Sequence, residues 1–201
     1  MYINEVTDEQ IELYAKTMHK EFLNDFHAPI EAWLQYVECC DTVTFKKDEI
    51  VKKQDKKEKY CYFILSGCVG VFLWSGNNFV CLDFFFDLQF CADYMSLLTN
   101  QITPLQLVAL ETTKMLRMTE KDYRMLTKKT VGSIIHLLSA ETAFIEKQQQ
   151  QIELLTKTAE ERYAILLERF SNINNRIAQK HIASYLGITP QSLSRVRATI
   201  K

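Results

Sequence analysis

Residues 177–201 form the stretch that decides how this chain folds: IAQKHIASYLGITPQSLSRVRATIK. Its first half has apolar or small residues at Ile182, Ala183 and Leu186, which is the spacing of one helical face. Gly187 follows, and a glycine at this point suits a chain reversal that needs a positive φ. The pattern therefore predicts a short helix that ends in a tight turn.

A second helix is predicted to begin directly after this turn. Thr189 is a suitable N-cap, and Pro190 fits the first helical position because a backbone N–H would be unpaired there. Leu193 and Val196 share one face, so they would hold this helix against the first one. Two helices in this order form the helix-turn-helix pattern, whose second helix enters the DNA major groove. The alternative is an ordinary helical hairpin with a glycine link.

Polar side chains of the second helix are candidates for contacts with DNA. Its first turn presents Gln191 and Ser192, and Arg195 lies one turn further on. Gln pairs well with adenine, and Arg pairs well with guanine, through two hydrogen bonds each. Thr189 and Arg197 are further candidates for contact with DNA. Candidates for the phosphate backbone are Lys180, His181, Arg176 and Lys201.

The charge distribution supports this interpretation. The whole chain has a formal net charge of −1. From residue 157 onward there are eight Lys or Arg and three Glu, a charge of +5, so the first 156 residues carry −6. A basic C-terminal part on an acidic body is expected when one part contacts phosphate and the other does not.

Composition predicts a cytoplasmic globular protein of one or two domains. Hydrophobic residues make up 47% of the chain, but no stretch approaches the roughly 18 apolar residues of a membrane helix. The N-terminal MYINEVTDEQ is polar and acidic, unlike a signal peptide. None of the cysteines has CxxC spacing, so we expect reduced, mostly buried thiols and no metal site; iron–sulfur or haem ligation is the disfavoured alternative. The cysteines are Cys39, Cys40, Cys61, Cys68, Cys81 and Cys91.

Between residues 41 and 119 the hydrophobic pattern changes to a period of two. Segments such as TVTFKKDEIVKK, YCYFILSG and CVGVFLW are separated by turn signals at roughly 8–12-residue spacing. About seven or eight short strands are predicted, and they would form a compact antiparallel roll or barrel. Helices are predicted before it, from Thr7 and after Pro29, and a short one within it at residues 93–100.

A long helix is predicted from about residue 129 to residue 155. Its positions at alternating steps of three and four form a heptad seam that also contains Glu141 and Gln148. This narrow stripe favours a seam between two chains, and the alternative is a helix that packs along its own domain. The apolar seam positions are Val131, Ile134, Leu138, Ile145, Ile152 and Leu155.

The order of roll, long helix and helix-turn-helix resembles the cyclic-AMP receptor protein/Fnr (Crp/Fnr) family of bacterial transcription regulators. The most similar stretches are FKKDEIVKK, YCYFILSGCVGVF and RIAQKHIASYLGITPQSLSRVR. The resemblance implies an α+β fold with an N-terminal antiparallel β-roll of the jelly-roll, cyclic-nucleotide-binding type and flanking helices. It places this sensor domain at 1–127, a dimerisation helix at 128–156 and the helix-turn-helix domain at 157–201.

The resemblance also implies a homodimer that binds double-stranded DNA. Paired recognition helices would enter successive major grooves, about 34 Å apart. By position, Gln191, Ser192 and Arg195 match the base-reading residues of the family, whereas Pro190 replaces an Arg of its best-known members. RNA polymerase is a further partner that the resemblance suggests.

The expected effector site departs from the family pattern. Cyclic-nucleotide binders of this family use a Gly-Glu pair and an Arg followed by a small hydroxyl residue. Here these positions hold Ala92-Asp93 and Thr103-Pro104. Between Lys59 and Arg117, the only cation is Lys114. A buried phosphate without a cation would lose charge-assisted hydrogen bonds worth roughly 1.5–3 kcal/mol each. We therefore expect a vestigial pocket that does not bind cyclic AMP.

These observations predict a homodimeric, sequence-specific transcription regulator. The apolar roll would then sense an uncharged small molecule, contact polymerase or simply support the dimer. The alternative is a ligand-sensing or protein-interaction module whose helical tail no longer binds DNA. The sequence shows no nucleophile–base pair, metal-ligand spacing or phosphate loop, so we do not expect an enzyme or a bound cofactor.

Overall fold

The computed structural model describes residues 1–24, 28–75 and 78–199. Within these ranges, no helix is long and apolar enough to cross a membrane. In chain order the elements are β1 (Tyr2–Glu5), α1 (Asp8–Glu21), α2 (Ile30–Glu38), β2 (Cys40–Phe45), β3 (Ile50–Lys52), β4 (Tyr60–Ser66), β5 (Val69–Ser75), β6 (Asn78–Phe85), β7 (Phe90–Cys91), α3 (Tyr94–Thr99), β8 (Leu105–Ala109), β9 (Thr113–Thr119), α4 (Glu120–Leu126), α5 (Thr130–Thr156), α6 (Ala159–Arg169), α7 (Ile173–Arg176), α8 (Gln179–Tyr185) and α9 (Pro190–Thr199).

Two antiparallel sheets form the predicted β-roll. One has the strand order β1-β2-β9-β4-β7, and the other has the order β3-β8-β5-β6. Side chains such as Ile64, Val69, Leu107 and Met115 are fully buried between the sheets. Because alternate residues of each strand point inward, the period of two in the sequence becomes an apolar interior.

Strand β1 was not predicted from the sequence. All four of its residues are exposed, so it shows no alternation of apolar and polar positions. It is held instead by its antiparallel pairing with β2, from Tyr2 opposite Thr44 to Glu5 opposite Asp41. Main-chain pairing leaves no signal in side-chain hydrophobicity, which explains the omission.

The turn between β4 and β5 requires a glycine. Gly67 has a φ of +116°, and a Cβ atom there would lie 2.5 Å from Thr113 Oγ1 and 2.6 Å from Thr113 Cα. The same Thr113 hydroxyl accepts a hydrogen bond from the Cys68 N–H and donates to the Cys68 carbonyl. Any side chain at Gly67 would therefore displace backbone of the neighbouring strand.

The N-terminal helices cover the outer face of the five-stranded sheet. Helix α1 begins with a capping box in which Thr7 and Gln10 bond each other's backbone N–H. It buries Met18, and α2 buries Trp33, against a cluster that includes Phe63 of β4. These helices complete the hydrophobic core of the N-terminal part of the chain.

After the roll, α4 leads into α5, a helix of 27 residues and so roughly 40 Å long. Helices α6 to α9, residues 159–199, then form a C-terminal helical unit. Its core includes Tyr163, Leu166, Ile182, Leu193 and Val196.

The C-terminal helical unit packs directly on the β-roll of the same chain. Phe84 lies on β6, and Phe86 follows that strand directly. Their rings lie 5.2 Å from Tyr185 and 4.5 Å from Phe170 of the C-terminal unit, measured between centroids. Strand β6 lies at the edge of its sheet, next to β5. The Cys81 N–H of β6 donates a hydrogen bond to the Ser184 hydroxyl of the C-terminal unit. Roll and helical unit therefore share one hydrophobic cluster.

Candidate functional site

The outer face of α9 carries the side chains that were predicted to read bases. Leu193 and Val196 are buried beneath the helix, and this fixes its rotation. Gln191 and Arg195 are exposed on the other side, and Ser192 is half-buried. Among the described residues, Arg195 forms no salt bridge, so its guanidinium is available to an acceptor outside the chain.

Local hydrogen bonds set the start of α9. Gly187 has a φ of +68°, the left-handed conformation expected for this turn. Thr189 Oγ1 accepts a hydrogen bond of 3.1 Å from the Ser192 N–H, as an N-cap does. Thr189 is exposed, but its hydroxyl is engaged within the helix. The predicted turn and cap are therefore both present.

Arg176 has a different role from the predicted contact with DNA. Its guanidinium bonds Asp87 at 2.6 Å, Glu111 at 2.5 and 3.0 Å, and the Gly67 carbonyl at 2.9 Å. It also lies over the ring of Phe86, 4.9 Å from the centroid. All three hydrogen-bonding partners belong to loops of the roll, so Arg176 clamps the C-terminal unit to the roll and is not free for phosphate. The cause is tertiary, because the two carboxylates lie 65 and 89 residues away along the chain.

The other residues predicted to contact DNA lie at the surface of the protein or outside the described residues. Lys180 is exposed and Arg197 is half-buried, and neither forms a salt bridge with another described residue. Lys201 lies outside the described residues.

The described part of the α5 seam is exposed. Ile145, Ile152 and Leu155 have relative exposures of 54%, 56% and 77%, and the neighbouring Phe144 has 66%. The remaining predicted seam residues, Val131, Ile134 and Leu138, have side chains outside the described set. A stripe of large apolar side chains in contact with water is typical of a surface that another chain covers.

The expected effector site contains a buried ion pair. Lys52 Nζ lies 2.8 Å from Asp93 Oδ2, and their side chains are only 3% and 0% exposed. The same ammonium donates to Thr103 Oγ1 and to the Leu105 carbonyl, both at 2.8 Å. Thr103 donates in turn to Asp93. The predicted pocket residues Asp93 and Thr103 therefore bind Lys52 and each other.

Sequence reasoning missed Lys52 because it lies on β3, well before the stretch that aligns with the phosphate site. The register of β3 against β8 brings it beside Leu105 and Thr103. Of the remaining predicted pocket residues, Ala92 is buried and Pro104 is exposed. A lysine at the end of a short strand carries no signal of this contact in the sequence.

A second buried carboxylate completes this polar network. Glu58 accepts hydrogen bonds from the backbone N–H groups of Lys59, Tyr60 and Asp93, at 2.9 to 3.2 Å. Burial raises the pKa of Glu58, although these hydrogen bonds oppose the rise. The carboxylate groups of this region are therefore satisfied from within the chain, and Lys52 is already paired with Asp93.

The cysteines behave as buried hydrophobic residues. All six are free thiols, and all but the half-buried Cys39 are buried. Burial raises the pKa of Cys61 to about 12, which keeps that thiol protonated and unreactive at neutral pH. The described residues contain no cluster of His, Cys, Asp and Glu that could hold a metal ion.

Comparison with known proteins agrees with this architecture. Residues 42–130, from β2 to the start of α5, match the family described as the cyclic nucleotide-binding domain. No curated protein sequence matches the chain. Among solved structures, FixK2 from Bradyrhizobium japonicum is 19% identical, with a TM-score of 0.66 over 80% of this chain and 84% of that chain.

Two other solved structures are similar over most of their length. The c-di-GMP responsive global regulator CLP from Xanthomonas campestris is 12% identical, with a TM-score of 0.67 over 86% of this chain and 91% of that chain. The catabolite activator protein of Thermus thermophilus is 22% identical, with a TM-score of 0.53 over 86% and 83%. The chain has the fold of the Crp/Fnr regulators. At these identities the likeness concerns the fold alone, so the Crp/Fnr fold confirms the predicted architecture but not its ligand or its target.

Proposed function

We propose that this protein is a homodimeric, sequence-specific DNA-binding transcription regulator that does not respond to cyclic AMP. The observation that carries the proposal is the outer face of α9. There, exposed Gln191 and Arg195 project from a helix whose rotation is fixed by buried Leu193 and Val196. In the Crp/Fnr fold this arrangement acts as a helix-turn-helix, with α8 and α9 as its two helices.

The charge and the apolar stripe support the same function. The basic C-terminal part, with its charge of +5, would be attracted to DNA phosphates. A second copy packed on Ile145, Ile152 and Leu155 would cover the exposed stripe of α5 and pair two α9 helices. Two recognition helices related by a two-fold axis would then read a near-palindromic site.

The buried Lys52–Asp93 pair supports the lack of a cyclic-AMP response. Lys52, which contacts the predicted pocket residues Asp93 and Thr103, is already paired with a carboxylate and has three oxygen acceptors at 2.8 Å. A cyclic phosphate would have to break this pair, which would leave a buried charge without its partner. Isothermal titration with cyclic AMP should therefore show no binding, and micromolar affinity would overturn this part of the proposal.

The DNA-binding proposal is tested by selection from a random DNA pool at about 100 mM salt, followed by titration of the recovered site. We expect a two-fold symmetric motif with half-sites about one helical turn apart. Arg195→Ala should lose about 1–3 kcal/mol of specific affinity, roughly 5- to 150-fold, mainly at one base pair of each half-site. Lys16→Ala, a change on the distant α1, should leave the affinity unchanged. No enriched motif, or an Arg195→Ala variant with unchanged affinity and footprint, would contradict the proposal.

The dimer is tested separately by sedimentation. Ile152→Glu places a charge in the exposed stripe and should convert the dimer to a monomer. The matched control is Leu13→Glu, because Leu13 is similarly exposed, at 58%, but lies on α1. If both variants remain dimeric, or if the wild-type protein is a monomer, the α5 seam is not the interface.

A further inference from the structure

One guanidinium of the C-terminal helical unit contacts the ends of two helices. Arg162 lies on α6 and donates through Nη1 to the carbonyls of Leu154 and Lys157, at 3.3 and 2.7 Å. Leu154 is in the last turn of α5, and Lys157 caps the end of that helix. Through Nη2 the same side chain donates to the carbonyl of Leu186 at 2.8 Å. Leu186 caps the end of α8, so Arg162 joins the end of the long helix to the start of the α8–α9 turn.

The position between two helix ends explains why a cation is favourable there. The last carbonyls of an α-helix have no partner within the helix, and they carry a partial negative charge. Arg suits this position better than Lys, because its planar guanidinium has donors on several nitrogens whereas the donors of Lys radiate from one atom. The Nε atom of Arg162 is buried and has no acceptor among the described residues, so the Nη contacts determine how the guanidinium is oriented.

An apolar contact supports the same junction. A Cβ atom at Gly187 would lie 3.6 Å from Leu154 Cδ1, so the glycine of the turn packs beside the last turn of α5. The turn has a defined conformation, because Gly187 has a φ of +68° and the Ile188 N–H donates to the Ala183 carbonyl at 2.9 Å. Helix α9 begins at Pro190, directly after this turn. The junction therefore fixes the orientation of α9 relative to α5.

Two other arginines of the C-terminal unit contact different parts of the chain. Arg176 bonds residues in loops of the roll. Arg169 also lies on α6, but its salt bridge of 3.1 Å is to the side chain of Glu146 in α5. The side chains of this pair are 35% and 49% exposed, so the pair should contribute little. Arg169 is therefore a matched control for Arg162.

A small rotation at the junction would displace α9 noticeably. Helix α9 has 10 residues and is therefore about 15 Å long. A tilt of about 10° at its start would shift its far end by about 2.6 Å. For comparison, one base pair changes the separation of two half-sites by about 3.4 Å and their relative rotation by about 35°. A junction that holds α9 firmly would thus select one spacing of the half-sites.

We propose that Arg162 is a positioning residue that fixes the distance between the two half-sites that the protein reads. This inference rests on the proposed function, in which α5 pairs two copies and α9 reads bases. The contacts of Arg162 hold each α9 at one orientation relative to α5, so the two recognition helices of a dimer keep one separation. The bases within each half-site are read by Gln191 and Arg195, on the outer face of α9.

The experiment measures spacing preference and base preference separately. The selected DNA site is titrated unchanged, with one base pair added between the half-sites, with one removed, and with one base pair changed within each half-site. The wild-type protein should bind the two altered spacings at least about tenfold more weakly, because the second α9 would be displaced and rotated. The base change reports on direct contacts of α9, so its effect should be the same in wild type and in the Arg162 variants.

Two variants weaken the junction in different ways. Arg162→Met keeps much of the side-chain bulk but donates no hydrogen bond, and Arg162→Lys keeps the charge, so one remains informative if the other fails to fold. In each variant, the loss of affinity at the altered spacings should fall below about threefold. The loss caused by the base change should stay as in wild type. Arg169→Ala should keep the wild-type preference for one spacing.

The outcomes separate this inference from the proposed function. If the wild-type protein selects no motif, the proposed function fails, and the inference fails with it. If the protein selects a two-fold symmetric motif but folded Arg162 variants keep the wild-type spacing preference, the inference alone is wrong. It is also wrong if Arg169→Ala relaxes the spacing preference as strongly, or if the Arg162 variants lose base preference together with spacing preference.

Discussion

Arg176→Ala should loosen the C-terminal helical unit from the roll without removing a contact to DNA. The guanidinium makes two salt bridges, to Asp87 at 2.6 Å and to Glu111 at 2.5 Å, and one hydrogen bond to the Gly67 carbonyl. The side chains of the three charged partners are 27%, 40% and 29% exposed, in the order Arg176, Asp87 and Glu111. These groups are neither fully hydrated nor fully buried.

The expected loss follows from this partial exposure. A fully exposed salt bridge contributes about 0–1 kcal/mol, whereas breaking a buried one costs about 3–5 kcal/mol. After the substitution, Asp87 and Glu111 regain part of their hydration, so the loss should be about 2 kcal/mol in the free energy of unfolding. For a chain of this size that corresponds to roughly 4–8 °C in the melting temperature.

The assay is urea unfolding at low and high salt, with Arg195→Ala as the matched control. Arg195 is an exposed arginine of the same helical unit without a salt bridge to another described residue, so its loss should change stability by less than about 0.5 kcal/mol. In DNA binding the order should be reversed: Arg195→Ala should lose base specificity, and Arg176→Ala should keep it. If Arg176→Ala unfolds at the wild-type midpoint at low salt, or if Arg195→Ala loses as much stability, the clamp is not formed in solution.

The clamp should also be sensitive to acid. Burial alone would raise the pKa of Asp87, but hydrogen bonds from Arg176 and the Gly67 N–H, and the charge of Arg176, lower it below its usual value. Because the folded-state pKa is the lower one, the stabilisation is present above the usual pKa of about 3.9 and is lost as the pH falls through the folded-state value. Wild type and Arg176→Ala should therefore converge in stability in this acidic range, and a constant difference would contradict the assignment to Asp87.

Three further predictions concern the roll and its contact with the helical unit. Lys52→Met should cost about 3–5 kcal/mol in unfolding free energy because it leaves Asp93 buried without its cation. Adding Asp93→Asn should recover part of that loss. If the Lys52→Met variant is as stable as the wild type, the ion pair is not formed. Gly67→Ala should give insoluble or unfolded protein, judged by circular dichroism, because its Cβ would lie 2.5 Å from Thr113 Oγ1, so a native-like spectrum would show that the turn is not as described. Burial lowers the pKa of His181, so the folded state should lose stability as the pH falls below about 6.5. In urea unfolding, His181→Phe should reduce the dependence of stability on pH in this range. An unchanged pH dependence would assign it to another group.

Much of the fold could be predicted because local patterns and tertiary packing agree. The period of two in the roll, the turn at Gly67 and the cap at Thr189 each specify a backbone conformation from a few adjacent residues. The α8–α9 turn is another such case, since Gly187 adopts the left-handed conformation that its position required. Local steric and hydrogen-bonding rules were therefore sufficient for these elements.

The site could be predicted only in part, because its chemistry depends on residues far apart in the chain. Lys52 and Asp93 are 41 positions apart, and their contact follows from how β3 and β8 pair. Arg176 was assigned to DNA because the sequence shows its charge but not the carboxylates that bind it.

By itself, the sequence determined where most of the helices, strands and turns lie, which face of α9 is polar, and that the C-terminal part is basic. These properties depend on residues within a few positions of one another, so side-chain spacing is enough to specify them. Only the tertiary structure decided that the helical unit docks on the roll, that Arg176 is held by Asp87 and Glu111, and that Lys52 pairs with Asp93 at the expected effector site. Each of these contacts joins side chains from distant segments, and their partners are determined by the packing of the whole chain.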